Sequence, residues 1–246
     1  SIATQAAASL TSLWLAGTLP AAGVAPGTTW ATCTKALTGT WNFANPGGSQ
    51  LSYLSSFACA GANVGMIYLY DRLGHMGGLS HSLLTVQTVT GSIPSNRGAA
   101  VDGSDVEWFF ERYTASDTTA FNMTASYTRG SDDTAGRISP QVAINGASPI
   151  NQPSKLYRIL PIAGETIKSI QTGTVLATTG TAGNWGVTVA RRIASIPMMQ
   201  VNVGGILDFA GTGLPRVYDD SCFWLVNFNS TTSTGAMQGT WDLIQG

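Results

Sequence analysis

The chain has 246 residues, of which only 10% are charged, and its formal net charge is −1. An average globular protein has about 25% charged residues. A nearly neutral chain gives no electrostatic case for binding nucleic acid or an anionic membrane. A surface with so few charges tends to associate. We therefore expect it to be buried against partner proteins or covered by hydroxyl and amide groups, and we favour partners.

The N-terminal part is predicted to be helical. Residues 2–16 are rich in alanine, and their apolar side chains recur at helical spacing. The stretch GTLPAAGVAPG (17–27) then ends the helix with prolines and glycines, and residues 28–37 favour a second short helix. We expect the first helix to dock through Trp14, and favour a neighbouring subunit as the surface that it meets. The uncharged start lacks the basic region of a signal peptide, so the segment is interpreted as mature protein.

The stretch YLYDRLGHMGGLSHS (68–82) contains both histidines of the chain. Its first part is typical of a strand, which we expect to run into a glycine-rich loop. Asp71, His75 and His81 are metal-ligand types, but a flexible loop does not fix two histidines as an HExxH helix does. We favour a structural interpretation, in which Asp71 pairs with Arg72 at the strand end and His75 is a hydrogen-bonding loop residue.

From about residue 50 the apolar pattern changes to a period of two. Strands are predicted within 105–113, 120–127, 184–192, 221–228 and 237–244, and the fourth is apolar enough to be central in a sheet. Turn signals occur at 45–48, 129–136, 178–184 and 230–235. Many short strands with regular turns predict an all-β fold, an antiparallel β-sandwich or jelly-roll-like single domain. We assign residues 1–45 to the helical or extended N-terminal segment and residues 46–246 to the β-sandwich domain.

Paired charges elsewhere do not predict an active site. Glu107 and Glu111 share one strand face, but four residues span about 13 Å, which exceeds the roughly 5–9.5 Å between glycosidase carboxylates. The doublets Asp132–Asp133 and Asp219–Asp220 are expected in solvated turns or ion pairs. Arg191–Arg192 is expected at an exposed strand end, with pairing to a neighbouring subunit's carboxylates as the alternative.

The three cysteines, Cys33, Cys59 and Cys222, have no metal-ligand spacing and are predicted to be buried thiols. A Cys–His nucleophile would require one of them to meet His75 or His81 in space, which spacing alone does not show. Neither a phosphate-binding loop nor a GxSxG nucleophile motif is present. We therefore predict a protein that is not an enzyme, with no catalytic, cofactor-binding or metal-ligating residues and no cofactor.

Several motifs together resemble a group of structural proteins from tailed-bacteriophage virions. They are LYDRLGHMGGLS (69–80), GSDVEWFFERY (103–113), TTGTAGNWGVTVARRI (178–193), GLPRVYDDSC (213–222) and LIQG (243–246). The resemblance covers the chain in patches from about residue 60 to the end. It implies a non-enzymatic part of the particle, namely a capsid decoration (cement) protein or a minor capsid protein.

The composition and the resemblance together lead to one functional hypothesis with two alternatives. We expect a virion protein, assembled in the host cytoplasm, that binds the major capsid protein and itself as a homotrimer, without nucleic acid or membrane. The first alternative is a receptor- or glycan-binding head-fibre or tail module, which should expose an aromatic cluster beside polar loops. The second is a hydrolase, which needs His75 or His81 to meet a carboxylate or a thiol in a pocket.

Overall fold

The structure is a computed structural model that describes residues 5–17, 20–148, 150–177, 180, 182–232 and 235–246. The chain is nearly all-β, with 46% of the described residues in strands and 3% in helices, and forms a single β-rich domain. All strand pairs in the described ranges are antiparallel. The predicted all-β antiparallel class is therefore confirmed. Among the described residues, no helix has both the length and the apolar character needed to span a membrane.

Sixteen strands and two short helices are described. The strands are β1 Leu10–Ser12, β2 Ala31–Thr32, β3 Ser52–Gly61, β4 Gly65–Ser80, β5 Gln87–Ser92, β6 Glu107–Arg112, β7 Phe121–Arg129, β8 Arg137–Ile138, β9 Val142–Ile144, β10 Lys155–Ile159, β11 Ile167–Val175, β12 Asn184–Met198, β13 Gly205–Leu207, β14 Arg216–Val217, β15 Phe223–Asn229 and β16 Met237–Gln245. The helices are a 3₁₀ turn at Ser95–Arg97 and α1 at Phe209–Thr212.

Six strands close into a barrel-like sheet at the centre of the molecule. Their order is β12-β6-β10-β1-β15-β4, and pairing of β4 with β12 completes the ring, while β2 adds to β4 outside it. Alternation along each strand sends one set of side chains inward and the other outward. On β6, Phe109 belongs to the inner cluster, whereas Trp108 and Phe110 belong to a core on the outside of the ring.

Two smaller sheets cover the outside of the ring. The first contains β5, β11, β7, β8 and β9, and it packs on β4, β6 and β12 through a large apolar core. The second contains β13, β3, β14 and β16, and it packs on other parts of β4, β12 and β15 through a separate core. Face-to-face layers of this kind are the packing of a β-sandwich. The described residues therefore form three apolar cores, one inside the ring and one under each flanking sheet.

The predicted N-terminal helices are wrong. The described part of residues 2–16, which starts at residue 5, forms the strand Leu10–Ser12 between β10 and β15, and the second predicted helix contains the strand Ala31–Thr32. Strand hydrogen bonds on both sides override the helix propensity of alanine. Trp14 follows β1 into the ring, where it is only 2% exposed and donates from Nε1 to the carbonyl of Val24 at 2.9 Å. The segment docks on its own barrel, not on the neighbouring subunit that we favoured.

The five strands predicted from the later sequence are all present, as β6, β7, β12, β15 and β16, and β15 is central as predicted. The glycine-rich loop predicted after residue 73 is wrong, because β4 runs without a break to Ser80. Its glycines serve close packing: a Cβ on Gly74 would lie 2.5 Å from the Trp30 ring. The pairing of β4 with β12 also shifts register three times, so the strand bends instead of ending. The expected turn at 178–184 lies largely outside the described residues.

Candidate functional site

Two residues of the stretch 68–82, Arg72 and His75, lie in a polar cluster inside the ring. The side chains of Arg72 and Glu111 are both 0% exposed, and Arg72 Nη2 lies 2.7 Å from Glu111 Oε2. The same nitrogen donates to the hydroxyls of Tyr113 and Thr188, both at 3.1 Å. Thr188 in turn donates to Glu111 Oε2 at 2.6 Å. The three residues that bind Arg72 here come from β6, the residue after it, and β12.

Arg72 is also enclosed by aromatic rings. Its guanidinium carbon lies 4.5 Å from the ring centre of Trp14 and 4.7 Å from that of Trp224, so the cation faces two indoles. Burial disfavours a charge on Glu111, but the Arg72 cation and its hydrogen bond outweigh this and lower the pKa of that carboxyl. The pair is thus an ion pair in an apolar interior, with both charges retained.

Asp71 does not pair with Arg72, which corrects the sequence interpretation. Consecutive strand residues point to opposite faces, so Asp71 lies outside the ring while Arg72 lies inside. Asp71 forms a buried ion pair with Arg97 of the 3₁₀ turn, and it also accepts hydrogen bonds from the Ser221 hydroxyl and the Cys222 N–H, both at 2.9 Å. Arg97 donates to the carbonyl of Cys33 at 2.7 Å.

The two histidines lie in different cores and form no common site. His75 is 6% exposed inside the ring, where its Nδ1 accepts from Arg72 Nε at 3.0 Å and its ring meets Trp14 edge-on. His81 stacks on Trp185 in the outer core. The prediction that His75 forms a hydrogen bond is confirmed. The prediction that His75 lies in a loop is wrong, because His75 belongs to β4. In the described ranges no group of three His, Cys, Asp or Glu side chains could hold a metal ion.

Sequence reasoning missed that Cys33 and Cys222 meet inside the ring, 189 positions apart in the chain. All three cysteines are buried free thiols, as predicted. Burial opposes ionisation of Cys33, but its interactions with Cys222 and His75 and the charge of Arg72 lower its pKa well below the usual thiol value. Burial and the neighbouring Cys33 raise the pKa of Cys222. No sequence signal could have found this pair, because only the register of β2 and β15 on β4 brings them together.

The remaining charged candidates have structural partners. Glu107 accepts a hydrogen bond from the Tyr70 hydroxyl at 3.0 Å. Its partner therefore differs from that of Glu111, which pairs with Arg72. Asp132 and Asp133 lie in a turn and pair with Arg129 and Lys168, as expected. Asp219–Asp220 is an exposed turn, also as expected.

Arg191 and Arg192 lie in the middle of β12, not at a strand end as predicted. Arg191 donates to the Gly98 carbonyl at 2.9 Å. The guanidinium of Arg192 lies over the Tyr68 ring. Both partners belong to the same chain, so each arginine has a role within the fold.

A second candidate site is the exposed face around β13. Between residues 199 and 209 the chain exposes a run of apolar side chains: Met199 at 82%, Val201 at 48%, Val203 at 51%, Ile206 at 71% and Phe209 at 64%. We call these five residues the β13 surface. Beside it, a cleft of about 330 Å³ between β12 and α1 is lined in part by Arg192, Leu207 and Thr212.

The small sheet that contains β13 also has an open edge. Within the described ranges, β16 pairs with β3 alone, so the backbone groups along its other side are available to a new strand. Most of its nine residues are exposed. Ile206 of the β13 surface lies on β13, on the opposite side of β3 from β16. Exposed apolar side chains and an open strand edge are each features of protein–protein interfaces.

Comparison with known proteins gave no match to a family model, to a curated protein or to a solved structure.

Proposed function

We propose that this chain is a non-enzymatic structural protein of a bacteriophage virion, of the capsid-decoration type, which acts by binding other protein subunits. The observation that carries the proposal is the β13 surface, where five large apolar side chains are exposed within eleven residues of the chain. Exposed apolar side chains that cluster in this way are typical of a surface that binds another protein. The major capsid protein and further copies of this chain, as a homotrimer, are the proposed partners.

The distribution of charge supports the same function. Four of the 12 lysines and arginines are buried, namely Arg72, Arg97, Arg112 and Lys155. Two of the 13 acidic residues, Asp71 and Glu111, are buried with them. Nineteen of the 25 charged residues remain outside the interior, so the folded surface stays as poor in charge as the chain. Such a surface meets little desolvation penalty when it is buried against another protein.

The reactive groups of the chain support assembly over catalysis. Cys33 is fully buried and His75 is nearly so, and both belong to the packed interior of the ring. Arg72, which contacts His75, is held by an ion pair and two indole rings. This is the setting of a packed core, and a bulky substrate would have to displace it to reach the sulfur.

The experiment is an incorporation assay in phage that lack the gene for this protein and are complemented in trans. The double variant Ile206→Asp/Phe209→Asp should be absent from purified particles, because two carboxylates would have to be desolvated at the interface. The control Val101→Asp changes a side chain that is 75% exposed and that lies outside the β13 surface, and this variant should be incorporated normally.

Both variants should fold alone with unchanged unfolding midpoints, because they alter exposed residues. Equal incorporation of the two variants would contradict a role for the β13 surface. The receptor-binding alternative has weaker support. Within the described ranges, Phe209 and Phe228 are the large aromatics with high exposure, whereas a glycan site would use an aromatic cluster.

A further inference from the structure

Cys33 and Cys222 are brought together by two strands that share one flank of β4. On that flank β15 pairs with β4 up to Asp71, and β2 pairs with it from Gly74. The cysteines occupy the junction: the N–H of Cys33 donates to the Leu73 carbonyl at 3.0 Å, and the Arg72 N–H donates to the Cys222 carbonyl at 2.8 Å. They therefore face consecutive residues of β4, which is compatible with the Cα separation of about 4.4–6.8 Å that a disulfide spans.

The ion pair outside the ring fixes the backbone of both cysteines. Asp71 accepts from the N–H of Cys222, and Arg97 donates to the carbonyl of Cys33. Because Asp71 and Arg97 also bind each other, they link the two strand ends by a continuous chain of hydrogen bonds. Neither strand end can move away from the other without breaking a charged hydrogen bond in the interior.

The side chains around the two sulfurs favour different protonation states. His75 Nδ1 accepts from Arg72, so the proton of a neutral His75 ring is on Nε2 and is available to donate. The pKa of Cys33 is lowered and that of Cys222 is raised. A thiolate beside a protonated thiol is the arrangement of a reactive dithiol. Cys59 differs, because burial alone raises its pKa to about 11.

We propose that Cys33 and Cys222 are a peroxide-reactive dithiol that closes to a disulfide between the ends of β2 and β15. The Cys33 thiolate attacks one oxygen of hydrogen peroxide; the O–O bond breaks, hydroxide leaves and Cys33 becomes a sulfenic acid. The Cys222 sulfur then attacks the Cys33 sulfur, the S–O bond breaks and water leaves with the thiol proton. Two thiol sulfurs are oxidised and one peroxide is reduced, so the electrons balance.

Access to the buried sulfurs is expected through β2. This strand has two residues, both exposed, and it pairs with β4 at two positions. Short, exposed elements open locally at low free-energy cost. Opening of β2 at Ala31 and Thr32 would uncover Cys33 while Arg97 still holds the Cys33 carbonyl. Cys222 would stay covered, since it is anchored by β15, which has strands on both sides. A small peroxide can therefore reach the reactive sulfur without global unfolding. The proposal does not depend on the assembly role.

The test treats the folded full-length protein with hydrogen peroxide and maps its thiols. Trypsin cuts after Lys35, Arg72 and Arg216, and it places the three cysteines in the separate peptides 1–35, 36–72 and 217–246. We expect peptides 1–35 and 217–246 to become linked with the loss of two hydrogens, and dithiothreitol to reverse the link. Free thiols, counted after denaturation, should fall from three to one per chain.

Three variants separate this result from unspecific oxidation. Cys59→Ser should give the same linked peptides, and Cys222→Ser should leave a sulfenic acid on peptide 1–35 that dimedone traps. Cys33→Ser should show neither product. The proposal is overturned if wild-type protein, with its native circular dichroism spectrum, gives no link between the two peptides, or if the linked peptide is 36–72. Because the readout on wild-type protein needs no variant, misfolding of a variant does not weaken the test.

Discussion

At the scale of single residues, the chain buries one complete Arg–Glu ion pair inside the ring. An Arg–Glu pair with no exposure loses its hydration, and the interior repays this only if the hydrogen bonds are good. Here Arg72 has Glu111, two hydroxyls, one imidazole nitrogen and two indole faces as partners. The arrangement fixes which side chains of β4, β6 and β12 face inward. We expect the loss of one charge of the pair to destabilise the fold more than the loss of both.

Breaking the pair on one side should be costly. Glu111→Leu leaves the Arg72 cation buried without its carboxylate, and we expect the free energy of unfolding to fall by about 3–5 kcal/mol. The double variant Arg72→Met/Glu111→Leu should recover much of this loss, because no charge is stranded. Lys168→Met is the control: it breaks an exposed ion pair with Asp133 and should cost less than about 1 kcal/mol. Urea unfolding monitored by tryptophan fluorescence measures the free energy of unfolding of all three variants. A Glu111→Leu variant that loses no more stability than Lys168→Met would contradict the expectation.

His81 should make stability fall in mild acid. Burial, followed by the charge of Arg112, lowers the pKa of His81 to about 3, against about 6.5 in an unfolded chain. Between these values the unfolded state binds the extra proton, so stability present above pH 6.5 is lost as the pH falls. At pH 5 the loss from His81 should be about 2 kcal/mol relative to pH 7. His81→Gln should remove that part of the slope, which unfolding curves at both pH values would show; an unchanged slope would contradict it.

At the scale of elements, the ring depends on its shortest member. β1 has three residues, but it pairs with β10 on one side and β15 on the other. Without it the order of strands would be interrupted and the inner core would lose Trp14. A three-residue strand thus decides whether the central sheet is closed or open.

Removal of this strand should unfold the subunit itself. We expect deletion of residues 1–16 to abolish cooperative thermal unfolding. Trp14→Ala keeps the strand but should cost about 3–5 kcal/mol, the range for loss of a large aromatic from a core. Val24→Ala, at a side chain 71% exposed, is the control and should be nearly neutral. Circular dichroism melting tests this, and a truncated chain that melts at the wild-type temperature would show that β1 is dispensable.

Local pattern predicts some of these elements and not others. β7 and β12 alternate apolar and polar residues, so their strand character could be predicted from local sequence. β1 could not, because an alanine-rich stretch also fits a helix and only its partners β10 and β15 make it a strand. The glycines of β4 were interpreted as a loop because their use, close approach by Trp30, is visible only in three dimensions. The meeting of Cys33 and Cys222 likewise depends on register.

At the scale of the whole molecule, the residues that stabilise the fold are different from those proposed to bind partner proteins. The three cores lie inside the ring and beneath the two flanking sheets. Ile206 of the β13 surface and the open edge of β16 lie in the smaller of the two flanking sheets, so the proposed association there would leave the ring undisturbed. An interface of ordinary size buries about 1,600 Å² in total, and many copies of such a contact would reinforce a shell although each contact is modest.

The most direct test of this role is the heat stability of phage particles with and without the protein. DNA release is followed with a dye during slow heating, and adsorption to host cells is measured on the same preparations. We predict that particles lacking the protein assemble and adsorb normally but release DNA at a lower temperature, and that adding purified protein restores the midpoint. Particles that are as heat-stable as wild type, and that fail only in adsorption, would contradict the decoration role and support receptor binding instead.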